Sequence, residues 1–170
     1  WLGTAGWTFY NTKVQNHYTT SQKREKLLAD FEKNYKQYEG RFQPRVYAVN
    51  YDIDLHPETR SLLVKGKFYA WNRYDQPIDT LFVNVPRHGE FEIRNPNLSL
   101  IRNDSAVQWR MYRFEPALMP GDSILLEFTT NFAPQGFDNQ LRWGRIVQNG
   151  TFFDNTDIMP IFGYQSSNEL

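Results

Sequence analysis

Apolar and polar positions follow two periods along this chain. Over residues 20–39, Leu27, Leu28, Phe31, Tyr35 and Tyr38 recur at helical spacing among Lys, Arg, Glu, Gln and Asn. Thr20 or Ser21 can cap the start, and Gly40 stands where a helix-ending glycine belongs. Glu32 and Lys36 are four apart, which supports an exposed face. The pattern predicts one amphipathic helix of about five turns. Its aromatic stripe reads as a docking face rather than a ligand site. Residues 1–19 are rich in aromatics without a clean period, and are expected to be an extended lead-in that packs on something.

From Pro44 onward the period becomes two. Arg45–Leu55 reads as a long strand, His56–Arg60 as a turn and Ser61–Asn72 as a second strand. In that second strand Leu62, Val64, Gly66, Phe68 and Ala70 share a face, and Gly66 signals a bulge or a close approach. Further strands are predicted at Thr80–Val85, Phe91–Arg94, Leu98–Arg102, Gln108–Phe114 and Ser123–Phe132. Met119-Pro120-Gly121-Asp122 is a turn signal before the last of these. Asn149-Gly150, between Ile146-Val147 and Phe152-Phe153, predicts a hairpin. After Pro160 no strand pattern remains, and the tail reads as a linker. Short strands with frequent turns predict a mainly β fold, an antiparallel β-sandwich or saddle-like sheet, with one N-terminal amphipathic helix.

Composition narrows the function classes. A chain of 170 residues is one domain, or one domain with an appendage. It opens on Trp1 rather than Met, which suggests a piece of a longer protein. The 19 basic and 19 acidic side chains cancel, which argues against nucleic-acid binding through bulk charge. No 18-residue apolar run is present. The absence of Cys removes disulfides, thiolate metal sites and Cys nucleophiles together.

Candidate chemistry is sparse. His17, His56 and His88 lie in three separate segments, and no two are spaced for zinc on one helix face. Asp52 and Asp54 flank Ile53 on one strand face, as paired carboxylates for acid–base work would, but they equally fit the polar face of a strand. Asp138, Asp154 and Asp157 offer oxygens for calcium without the EF-hand spacing. Asn103-Asp104-Ser105 and Asn149-Gly150-Thr151 fit the glycosylation triplet. Arg102, Arg110 and Arg113 with Trp109 and Tyr112 suggest base stacking, against which the zero net charge weighs. Exposed Trp109 and Trp143 would suit a carbohydrate-binding sandwich. By themselves these residues predict a β-rich domain without a catalytic constellation.

An ordered set of motifs adds to this. Val46-Tyr47-Ala48-Val49-Asn50-Tyr51-Asp52-Ile53-Asp54-Leu55-His56-Pro57-Glu58-Thr59-Arg60 is followed by Gly66, by Asp79–Val85 and by Pro116-Ala117-Leu118-Met119-Pro120-Gly121-Asp122. In that order and spacing they resemble the N-terminal β domain of aminopeptidase-N-like zinc metallopeptidases. Phe9-Tyr10-Asn11-Thr12, Tyr35, Tyr38 and the stretch from Asn149 to Leu170 resemble a bacterial subgroup fused to an ABC-type transporter permease. The resemblance implies a non-catalytic domain forming one wall of a peptide-binding cleft. It implies an extracytoplasmic, periplasmic location and membrane attachment through flanking transmembrane helices. Residues 1–43 would then be a juxtamembrane lead-in and helix, 44–157 the β-sandwich, and 158–170 the start of a linker to a downstream catalytic domain. Zinc and catalytic residues would belong to that domain, so no catalytic or metal-binding residue is expected in this chain. The family's amine-holding Gln falls at Thr151-Phe152-Phe153, the candidate substrate-binding segment, with Phe152 at the Gln position. Ile158–Tyr164 keeps Pro160 but lacks the family's acidic pair. The alternative is a periplasmic peptide- or protein-binding module of the permease, without peptidase activity. Neither reading involves nucleic acid.

Overall fold

The computed structural model describes residues 1–15, 19–86, 89–133 and 146–170. The chain is mainly β, an antiparallel sandwich with N-terminal helices. Its strands are β1 (Arg45–His56), β2 (Ser61–Trp71), β3 (Ile78–Asn84), β4 (Glu90–Arg94), β5 (Leu98–Asp104), β6 (Trp109–Leu118), β7 (Ser123–Phe132) and β8 (Ile161–Phe162). One sheet has the order β1-β2-β7-β4 and the other β5-β6-β3-β8.

Alternation explains the core. Leu62, Val64, Phe68 and Ala70 turn inward from β2, and Leu126 and Phe128 do so from β7. They meet Leu81, Val83, Tyr112 and Phe114 of the facing sheet in one cluster. Gly66 is a close approach and not a bulge, because its register runs on unbroken opposite Phe128. The shift in β1 lies instead between Val46 and Ala48. Arg110, beside Val83 in register, bridges the sheets by donating to the Phe91 carbonyl at 2.8 Å.

The β3–β6 sheet is covered on both faces, which is why β3 reads as a nearly continuous apolar run. Its outer residues Phe82, Trp109 and Met111 pack against Phe31 and Tyr35 of α2 (Ser21–Tyr35). Thr20 caps α2, its hydroxyl accepting from the Lys23 amide at 3.2 Å. The final turn tightens to a 3₁₀ helix at Lys36–Tyr38, and Gly40 follows with φ of 73°. The helix therefore docks on the sandwich itself. Tyr35 Oη donates to Asp104 at 2.6 Å, and the Arg102 guanidinium lies 4.9 Å from the Tyr35 ring centroid.

Three expectations fail. Residues 1–15 are not extended: Leu2–Phe9 form α1 and Tyr10–Gln15 a π-helical turn. With no strand beside it, this apolar stretch satisfies its backbone internally. Nor does it pack on the domain, since no residue of α1 is buried. The Asn149-Gly150 hairpin is absent. A turn forms at residues 148–149, but its flanks pair with nothing as strands: Ile146 enters the core, and Asp154 instead starts α3 (Asn155–Ile158). The tail after Pro160 does hold a strand, as β8 pairs with β3 through Val83–Phe162 and Asn84–Ile161. Asn84 is nine-tenths buried or more, and its amide donates to the carbonyls of Ile161 and Gly163 at 3.2 and 2.6 Å.

Candidate functional site

The uncovered part of the sandwich is its β1 margin. Residues directly opposite in an antiparallel pair face the same way. Register sets Val49 beside Phe68, Tyr51 beside Gly66, Ile53 beside Val64 and Leu55 beside Leu62. The β2 members of these pairs are buried in the core. The β1 members share that inward face, yet Ile53 remains 48% and Leu55 39% exposed. β1 thus overhangs the opposing sheet as an apolar ledge. Among the described residues it pairs with β2 alone, so its outer edge is open.

Tyr51 anchors the ledge to the chain that follows the sandwich. Its hydroxyl meets Met159 Sδ at 2.6 Å, and its ring stands edge-on to Phe128, centroids 6.2 Å apart. Burial pushes the Tyr51 phenol above its ordinary value of 10.0. On the solvent side of β1, Asp52 is paired with Lys65 in register, and Asp54 lies 3.0 Å from His56 Nε2. Both carboxylates are exposed, so they form the polar face of a strand and not an acid–base pair.

The predicted substrate segment lies between the turn at residues 148–149 and α3. Phe152 is 76% exposed, whereas Phe153 is partly buried against the main core. Thr151 turns back to its own loop, its hydroxyl 3.4 Å from the Val147 carbonyl. The three residues therefore do not converge: one faces water, one the core and one the loop backbone.

Other candidates find structural partners. Asp154 and Asp157 form a capping box, Asp154 Oδ1 accepting from the Thr156 amide and Asp157 Oδ2 from the Asp154 amide. That use, and not calcium, explains their spacing. Trp109 is fully buried, stacked on Phe82 and tilted against Tyr35, so it offers no platform to a sugar or a base. Tyr112 is likewise buried. His17, His88, Asp138 and Trp143 lie outside the described residues. No group of three or more His, Asp or Glu among the described residues could hold a metal.

This arrangement can bind through apolar contact and by accepting a strand, but the described side chains assemble no nucleophile, base or metal centre. Sequence reading named the ledge residues as one face of a strand and missed that the face is uncovered. Alternation reports which residues share a face, not whether a second layer reaches over it. A scan against models of known protein families finds none that matches this sequence, and a search of curated proteins finds no match.

Proposed function

We propose that this chain is a non-catalytic β domain that walls a peptide-binding cleft and docks a zinc-aminopeptidase-like catalytic domain. In this reading it belongs to an integral membrane protein of the permease-fused bacterial type and stands on the periplasmic side. The observation that carries the docking role is the inward-facing but exposed ledge of Tyr51, Ile53 and Leu55 on an open edge strand. Apolar side chains on the core side of a sheet are normally covered, and a neighbouring domain would cover these. The motif order from Val46 to Asp122 supplies the kind of neighbour.

A second reading, a peptide- or protein-binding module without peptidase activity, is favoured by Phe152. An exposed aromatic there offers apolar contact and no acceptor for a substrate amine.

The test is made on the protein expressed from its complete reading frame. Bound zinc and hydrolysis of unblocked aminoacyl substrates are expected. Ile53→Lys with Leu55→Lys should lower that activity while leaving the sandwich folded, because both side chains are exposed. A protein without zinc or hydrolysis overturns the peptidase reading in favour of the binding module. Full activity in the double variant overturns docking through the ledge.

A further inference from the structure

The helix that begins the described chain has apolar surface on opposite sides. From Trp1 to Thr12 there is no Asp, Glu, Lys, Arg or His. Trp7 and Phe9 are each 62% exposed. Two positions apart on an α-helix means about 200° around its axis. Leu2, seven positions before Phe9, shares the Phe9 side, and it too is exposed. A protein groove or a second copy would cover one side of such a helix and leave the other in water. An apolar helix without a polar side suits a medium that surrounds it.

The polar side chains point the same way. Three of the four between Trp1 and Thr12 donate to carbonyls of their own helix. Thr4 Oγ1 reaches the Trp1 carbonyl at 3.0 Å, Asn11 Nδ2 that of Trp7 at 2.9 Å and Thr12 Oγ1 that of Thr8 at 2.8 Å. Turning donors back onto the helix is what a medium without water requires. The composition then changes abruptly. Lys13 is the first charge, and α2 carries seven charged side chains in its 15 residues. Trp and Tyr beside such a step are the residues that settle at a bilayer surface.

We propose that α1 and the turn after it insert into a lipid bilayer, with the chain leaving the apolar layer at Tyr10–Lys13. Twelve helical residues span about 18 Å, against about 30 Å for a hydrocarbon layer. No helix among the described residues is long and apolar enough to cross a membrane. The segment therefore enters the bilayer without crossing it by itself. This inference needs neither a peptidase nor transmembrane helices elsewhere, and its test reads lipid binding instead of hydrolysis.

The test uses the 170-residue chain with phosphatidylcholine vesicles, with and without phosphatidylglycerol. The protein should float with both, and raised salt should not release it, because apolar contact and not charge holds it. Brominated lipid should quench part of its tryptophan emission. Trp7→Asp with Phe9→Asp should weaken vesicle binding by roughly tenfold or more and abolish that quenching. The double variant should keep its circular dichroism and unfolding midpoint, since neither side chain is buried. Phe152→Asp, an equally exposed aromatic elsewhere, should bind like the original. Failure to float overturns the proposal, as does binding that the double variant retains. Binding only to the anionic vesicles and lost in salt also overturns it. A soluble oligomer that the double variant abolishes and vesicles do not dissolve would make a second copy the occupant, and overturn lipid.

Discussion

A methyl group added to Gly66 would lie 2.1 Å from Phe128 Cζ and 2.2 Å from Cε1. The Phe128 ring cannot swing away cheaply, because it is buried, stacked on Phe68 at 4.6 Å and faced by Tyr51. Replacing a strand glycine by alanine gains about 0.5–1 kcal/mol from the unfolded chain. Overpacking costs about 1–3 kcal/mol, so the steric effect wins. Gly66→Ala should lower the urea midpoint with an unchanged slope, and Phe128→Leu should relieve that penalty in a double-mutant cycle. An additive cycle would show that the ring is not what limits the position. The β1–β2 turn holds a second local device. His56 Nε2 lies 3.0 Å from Asp54, and Nδ1 lies 3.5 Å from Glu58. Asp54, and secondarily Glu58, raise the imidazole above its ordinary value of 6.5. A raised folded value means that the stabilisation is complete below pH 6.5 and is lost as pH rises through the folded value. Proton titration followed by NMR should place the His56 midpoint above 6.5, and Asp54→Asn should bring it down. An unmoved midpoint would separate the shift from that carboxylate.

Elements form here where local signals and tertiary partners agree. α2 has a cap, a helical apolar period and a landing site. The cap contributes about 1 kcal/mol, whereas burying a large aromatic contributes about 3–5 kcal/mol. Phe31 is buried against Trp109 and Tyr164, edge-on to the first at 5.5 Å and stacked on the second at 5.2 Å. Thr20→Ala should therefore cost about 1 kcal/mol and Phe31→Ala about 3 kcal/mol or more, measured by denaturant unfolding. Equal costs would mean that docking does not hold the helix. The seven longer strands were legible because alternation and turn residues coincide, as in Ser61–Trp71 and Ser123–Phe132. Asn149-Gly150 misled because a turn signal is not a hairpin. The turn closes, with the Gly150 amide 3.4 Å from the Val147 carbonyl, but Ile146 and Phe153 on either side both turn to the core. Arms of two apolar residues lack the alternation that would fix a register. The candidate site was legible only as residues. Tyr51, Ile53 and Leu55 were placed on one face, and their exposure depends on how far the opposite sheet extends.

At the scale of the molecule, α2 and the C-terminal tail clasp each other over the outer face of the β3–β6 sheet. Tyr164 stacks on Phe31, and its hydroxyl donates to Glu169 Oε1 at 2.8 Å. Burial, then the bond to Glu169, holds that phenol above its ordinary value of 10.0. Glu169 also meets Lys36 at 3.3 Å, which in turn pairs with Glu32 at 2.7 Å. Asn168 donates to Asn84 Oδ1 at 3.1 Å, while the Asn84 amide serves the carbonyls of Ile161 and Gly163. Alternation has no means to reveal this tail, because β8 is two residues long and the rest is held by side chains. A passive extension and an integral part of the fold make opposite demands on Tyr164. A passive extension would tolerate Tyr164→Ala within about 0.5 kcal/mol. An integral tail should lose about 2–3 kcal/mol, somewhat less than a fully buried aromatic, because Tyr164 is only partly buried. The two layers of the sandwich and the helix meet at Trp109, which touches Phe31, Tyr35, Phe82 and Tyr164. Tryptophan emission therefore reports on the clasp and circular dichroism on the sheets. Both midpoints should fall together in Tyr164→Ala if helix, sandwich and tail unfold as one cooperative unit. A drop in emission midpoint alone would divide the molecule into a sandwich and a separately melting clasp.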